Sequence, residues 1–181
     1  FQSLTFIKRA VLRFILNRQI LIHRMAAAIM FAPGITFAPT EQQIFLQYLI
    51  PKIQENEAAL VGSPITEFDI YDQDPISTEF PGHEFFPPDE YWYFVWRVPL
   101  SPSSSKPNRF IEDLVNDGKW KQTGKPKIIK LGNTVILGKR NTLDFVTVEE
   151  KKTGWRMYEY ERILEAPLFQ HMVVVHIFYR L

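Results

Sequence analysis

The stretch DGKWKQTGKPKIIK, residues 117–130, concentrates the residues most able to do chemistry. It holds one acid against five lysines, Lys119, Lys121, Lys125, Lys127 and Lys130. On an extended chain Lys119, Lys121 and Thr123 point one way, and Trp120, Gln122 and Gly124 the other. Trp120 can then anchor in a core while the lysines project. Lysines and an amide on a strand presented edge-on suit phosphate oxygens and base edges. Gly124 has no Cβ, so backbone there can approach a phosphate closely. Lys106, Arg109 and the Lys139-Arg140 pair add positive charge nearby in sequence. The plain alternative is a solvated strand edge whose lysines block aggregation.

Other chemistries find little support. The chain has no cysteine, which excludes disulfides, cysteine–zinc sites and a thiol nucleophile. No phosphate loop or dinucleotide fingerprint occurs. His23, His83, His171 and His176 show no metal-ligand spacing. Asp69, Asp72 and Asp74 lack the glycine and terminal Glu of a calcium loop and read as a solvated acidic loop. The sequence therefore predicts no enzyme, no metal and no cofactor.

The lysines belong to a polarised chain. Net charge is only +1. Residues 41–96 nevertheless hold eleven acids and one lysine, whereas 97–140 hold ten Lys/Arg and three acids. Such polarisation either steers a polyanion or pairs internally across the fold.

The elements that must carry these residues are mostly strands. Thr40 reads as a helix N-cap with Gln43 completing a capping box. Ile44, Phe45, Tyr48 and Leu49 follow at helical spacing, and Pro51 ends or kinks the helix. A short strand is expected around Ile65 to Tyr71. YWYFVWRVPL, KPKIIKL, TVILGKR, TLDFVTV, WRMYEYERI and HMVVVHIFYRL read as strands, with Gly132-Asn133 as a hairpin turn. The expectation is an α+β, mainly β fold: a twisted antiparallel sheet of about six strands packed with a few short helices. Residues 1–30 form a basic extension and 31–181 one domain. Leu4, Ile7, Val11, Phe14 and Ile15 share a helical face in that extension. It reads as a targeting helix, a membrane-surface helix, or sequence upstream of a true start at Met25. No transmembrane segment is expected.

The order of short motifs resembles the NAC family of plant transcription factors. PGITFAPT (33–40) is similar to the family's P-G-F-R-F-H-P-T, FDIYDQDP (68–75) to V-D-L-Y-x-x-D-P, and YWYFV (91–95) to E-W-Y-F-F. PNR (107–109) and GKWKQTGKPK (118–127) resemble P-N-R and G-Y-W-K-A-T-G-x-D-K. KTGWRMYEY (152–160) resembles K-T-x-W-x-M-x-E-Y, and VVVHIFYR (173–180) the closing V-L-C-R-I-Y. The resemblance implies a NAC-domain-like twisted sheet whose W-K-x-T-G strand enters the DNA major groove, with preference for a core containing CGT. It carries over as DNA-binding Arg109, Lys121, Gln122, Thr123, Gly124, Lys125, Lys127, Lys139 and Arg140, to which the lysine stretch itself adds Lys119. It implies double-stranded DNA as partner and a nuclear location. It places dimerisation, as a homodimer or with family relatives, at Pro33, Gly34, Thr36 and Gln43. The family's arginine–glutamate pair falls on Thr36 and Gln43, neither charged, so that pair cannot form. Gln122 replaces the usual alanine and Pro126 an acid. Two readings stay open: a sequence-specific DNA binder that regulates transcription, or a degenerate module that dimerises with relatives without binding DNA.

Overall fold

The computed structural model describes residues 36–111, 117–163 and 168–180. Thr36 and Phe37 fall in a separate unit from Ala38–Leu181, and every element below belongs to the latter. The extension 1–30, with Pro33 and Gly34, lies outside the described residues.

Thr40 opens the helical run. Its hydroxyl accepts from Gln43 N–H, and Gln43 Oε1 accepts from Thr40 N–H at 2.7 Å. This is the expected capping box, and it satisfies two donors that a helix start leaves unpaired. Glu41–Gln43 is α-helical, Ile44–Leu49 is π-helical, and Ile50–Ile53 returns to α. Pro51 therefore does not stop the run at once. The wider turn before it carries the ladder past the missing proline N–H. A second short helix, Glu57–Leu60, is capped by Asn56.

Among the described residues eight strands form one sheet: β1 (Thr66–Glu67), β2 (Glu90–Trp96), β3 (Phe110–Ile111), β4 (Gly118–Gln122), β5 (Lys127–Leu131), β6 (Val135–Thr147), β7 (Lys152–Glu161) and β8 (Met172–Tyr179). Their order is β1-β2-β8-β7-β6-β4-β3, with β5 also on β6. The mainly β, α+β class is as expected. Three details differ. β3, β4 and β1, the last inside the stretch expected as a short strand, raise the count, and β1 joins β2 in parallel. TVILGKR and TLDFVTV are one long strand, β6. Lys139-Arg140-Asn141 carries no glycine or proline to turn the chain, and Asn141 points its amide inward to Glu159 instead.

Cross-strand register sorts the side chains onto two faces. Tyr91, Ile177, Met157 and Leu143 align across four strands. They share a face with Tyr93, Val95, Val173 and Val175, and this face builds a core with Ile70, Ile111, Trp120 and Phe145. The opposite face receives the helical run. Phe45 there meets Tyr160 edge-on with ring centroids 6.1 Å apart. Burial of one such ring stabilises by about 2–3 kcal/mol. Gly138 on β6 makes room for Phe45, since any Cβ there would strike the Phe45 ring and the Glu161 carbonyl.

Candidate nucleic-acid interface

Strands β4 and β5 lie end to end along one edge of β6. Gln122 pairs with Leu143, and Lys127 with Arg140. Five steps along the outer chain thus span three steps along β6. The surplus makes the segment 123–126 arch away from the sheet. Thr123 N–H still donates to Thr142 O at 2.8 Å, so the arch begins after Thr123. Gly124 turns it with φ of 74°, a conformation glycine adopts without penalty. A Cβ there would meet nothing within 4 Å. Lys125 is exposed beside it, and among the described residues no carboxylate pairs with it. The Thr-Gly-Lys-Pro sequence thus makes a projecting knuckle, as a bulge does at a sheet edge.

The candidate cations divide between the two faces. Lys121 aligns with Asp144 and Arg156 in one row, and Lys127 with Arg140 and Tyr160 in another. Lys119, Lys121, Thr123, Lys127 and Arg140 therefore lie on the face that also bears the helix. Trp120 is on the other, buried against Phe145 with centroids 5.4 Å apart. Gln122, Lys139 and Arg109 share its side and line a cleft of about 360 Å³. Lys139 and Arg140, adjacent in sequence, are split by the alternation of the strand. Arg156 and Lys152 on β7 join the cationic face. Sequence reasoning missed both, although the charge alternation of KTGWRMYEYE was the available signal.

Most of these cations already have partners. Lys119 Nζ lies 2.5 Å from Glu150 Oε1 and Lys121 Nζ 2.6 Å from Glu150 Oε2. The two ammoniums hold the Glu150 carboxyl at about 2. Lys127 and Arg140 share Glu41, at 2.7 and 2.6 Å. The Arg140 guanidinium also stacks over Tyr158, 4.2 Å from the ring centroid. Lys139 Nζ is 3.3 Å from Glu161. Asp144 is held by Arg156 through two hydrogen bonds, at 2.6 and 3.2 Å, and its carboxyl is lowered chiefly by them.

Arg109 sits deeper than its motif suggested. Its Nη2 donates to Glu159 Oε1 at 2.6 Å, and Glu159 is fully buried. Arg97 Nη1 reaches the same oxygen at 2.9 Å, Asn141 donates to it, and Tyr71 OH donates to Oε2. Burial would raise the Glu159 carboxyl, but the two guanidiniums and these hydrogen bonds bring it down to about 2. The free edge of the guanidinium turns Nη1 toward Gln122 Oε1 at 3.5 Å. A guanidinium only donates, so it selects the amide oxygen.

The expected dimerisation positions are less informative. Gln43 commits its side chain to the capping box, and Thr36 is exposed with no regular structure. Asp69 and Asp74 accept backbone N–H groups of their own loop, at 2.9 Å from Tyr71 and 2.6 Å from Ile76. Among the described residues no cluster of His, Asp or Glu could hold a metal ion. Nor is any helix among them long and apolar enough to cross a membrane.

Comparison with known proteins gives one consistent answer. The family described as No apical meristem (NAM) protein matches residues 32–162. NAC transcription factor 32 of Arabidopsis thaliana is 32% identical over 141 residues, covering 76% of this chain and 51% of that protein. The NAC domain-containing protein JA2L of Solanum lycopersicum is 32% identical over 130 residues, covering 71% and 34%. NAC domain-containing protein 72 of Arabidopsis thaliana is 31% identical, covering 76% and 44%. The matched region thus spans about a third to a half of these curated relatives.

Proposed function

The chain belongs to the NAC family, the No apical meristem (NAM) proteins, and on that footing we propose that it binds duplex DNA and regulates transcription in the nucleus. The observation that carries this reading is the edge built by β4, the arch at 123–126 and β5. It projects Lys125 on a glycine hinge and lines one face with Lys119, Lys121, Lys127 and Arg140. A narrow, cationic, twisted edge of this kind fits a major groove. Lysine and arginine contacts to phosphate supply sequence-independent affinity. Thr123 and Gln122, at the rim where the edge projects, are the groups for base readout, with Lys121 beside them.

Arg109 takes a different role in this reading. It acts through Glu159 and Gln122, holding β3 and β4 in place, rather than as a free phosphate ligand. Lys139 is likewise directed to Glu161 and the cleft. The cationic face has Arg156 in their stead.

A second reading has a specific observation behind it. Glu150 pairs with Lys119 and Lys121, and Glu41 with Lys127 and Arg140. These are the cations of that face expected to contact DNA. An edge so paired also suits a module that joins family relatives without gripping DNA. The two separate in fluorescence anisotropy of the chain with a duplex containing CGT and with a shuffled duplex, across a salt series. Tighter binding to the first, with affinity falling steeply as salt rises, supports the DNA reader. Absence of binding to either, together with co-purification of a family relative, gives the lead to the interaction module.

A further inference from the structure

We propose that Glu150 limits the affinity of the lysine edge for duplex DNA: its carboxylate occupies the seat that a DNA phosphate would take on Lys119 and Lys121. The inference rests on the duplex-binding reading above and deepens it.

The geometry is that of a substitute anion. One carboxylate oxygen meets one ammonium at 2.5 Å and the other oxygen meets the second at 2.6 Å. A phosphodiester also presents one negative charge on two oxygens, so the two ligands compete for the same pair of donors. The turn that carries Glu150 is fastened to β4 rather than dangling from it. Val148 N–H donates to Asp117 O, and Glu150 N–H donates back to Thr147 O at 2.9 Å. Glu150 itself is held at φ of 58°, in the left-handed region that a glutamate enters only at a cost. The turn thus fixes the carboxylate over the two lysines.

Such exposed pairs are weak and are screened by salt. A phosphate can therefore displace Glu150, but the displaced carboxylate stays tethered beside it and repels it. The outcome is a penalty on every duplex alike. A penalty common to all duplexes lowers affinity and leaves the ratio between sequences to the base contacts. Asp144 on β6 sits in the row of Lys121, yet its charge is already engaged by Arg156 and Lys152. Glu149 is paired with Lys151. Glu150 is the acid that bears directly on the lysine pair.

The test compares the wild-type chain with Glu150→Gln, Glu150→Gly and Glu150→Asp, on the CGT duplex and the shuffled duplex across a salt series, and on immobilised heparin as a polyanion without bases. Glu150→Gly removes the carboxylate and suits the positive φ, so it guards against misfolding of the Gln variant. The Gln and Gly variants are expected to bind both duplexes about five- to tenfold more tightly. They should steepen the salt slope by about 1–2, since each further phosphate neutralised adds about 0.9. The preference for CGT over the shuffled duplex should stay as in the wild type, heparin retention should lengthen, and Glu150→Asp should stay near wild type. If all four proteins bind both duplexes with one slope and leave heparin together, the role of Glu150 is overturned while the DNA reading stands. If no protein binds either duplex but the Gln and Gly variants are held longer on heparin, the carboxylate does screen the lysines and the DNA reading is what fails.

Discussion

Arg109 Nη2 stands 2.6 Å from Glu159 Oε1, and that glutamate is wholly buried. Two arginines converge on its Oε1, because Arg97 is 2.9 Å from the same oxygen. Arg97 also donates to Gln170 O at 2.6 Å and reaches Glu161 at 3.3 Å. This network ties β3, β7 and the chain leading into β8 beneath the lysine edge. A buried ion pair is retained only where hydrogen bonds satisfy the remaining polar atoms. Asn141 and Tyr71 do so for the carboxylate, while the Nε atoms of Arg97 and Arg109 are buried without a hydrogen-bond partner among the described residues.

Replacing Arg109 should therefore affect stability as well as binding. Arg109→Ala leaves Glu159 with Arg97 alone and removes a charge-assisted hydrogen bond. The expected loss is about 2 kcal/mol, read as a lower urea midpoint in the absence of DNA. An unchanged midpoint with weakened duplex binding would mean that Arg109 is a simple phosphate contact.

The same network fixes a response to acid. The folded Glu159 carboxyl titrates at about 2, below its ordinary value of 4.5. A depressed folded pKa gives stability that is present above the unfolded value and lost as pH falls through the folded one. Unfolding midpoints should drop between about pH 4.5 and 2. Glu159→Gln should already be weaker at neutral pH, since it takes the shared carboxylate charge from buried Arg97 and half-buried Arg109, and should show a flatter decline over that window. Parallel declines for the two proteins would assign the acid sensitivity to other carboxylates.

Much of this arrangement is legible in the sequence. The capping box at Thr40 and Gln43, the aromatic and β-branched strands, and the opposition of Trp120 to Lys119 and Lys121 follow from local spacing. Long-range pairings are not legible. Nothing in the 117–130 stretch shows that Glu150 or Glu41 covers its lysines, because those contacts depend on sheet register. Arg109 reads as free because its partner lies 50 residues on. The Lys139-Arg140 pair reads as one patch until strand alternation divides it. The arch at 123–126 becomes visible only once both flanking strands are registered against β6.

Gly138 should prove intolerant of any side chain. The atoms that a Cβ would strike include a backbone carbonyl, that of Glu161, which cannot swing aside, as well as the Phe45 ring. Gly138→Ala should destabilise by about 1–3 kcal/mol through overpacking. Phe45→Leu in the same chain should recover part of the loss by thinning one of the two obstacles. A double mutant no more stable than Gly138→Ala alone would show that the carbonyl, and not the ring, sets the limit.

Gln122 supplies a prediction about sequence preference. As a free amide it would offer adenine both an acceptor and a donor, the bidentate pattern expected of glutamine. Arg109 Nη1 donates to Oε1 at 3.5 Å, so one acceptor site of the amide is engaged while its NH2 group stays available to donate. An amide so engaged acts toward a base mainly as a donor. It should favour guanine, which presents two acceptors, O6 and N7, over adenine, which presents one, N7, beside its N6 donor. Binding to a panel of duplexes varied one base at a time around the CGT core reads this directly. Gln122→Ala should flatten the preference at one position by about 1–3 kcal/mol and leave the salt slope unchanged. Gln122→Glu should reverse it toward cytosine, whose N4 donates, and Arg109→Ala should restore tolerance of adenine by freeing the oxygen. A preference that stays fixed through all three substitutions would place base readout elsewhere on the edge, with Thr123 and Lys121 the residues to vary next.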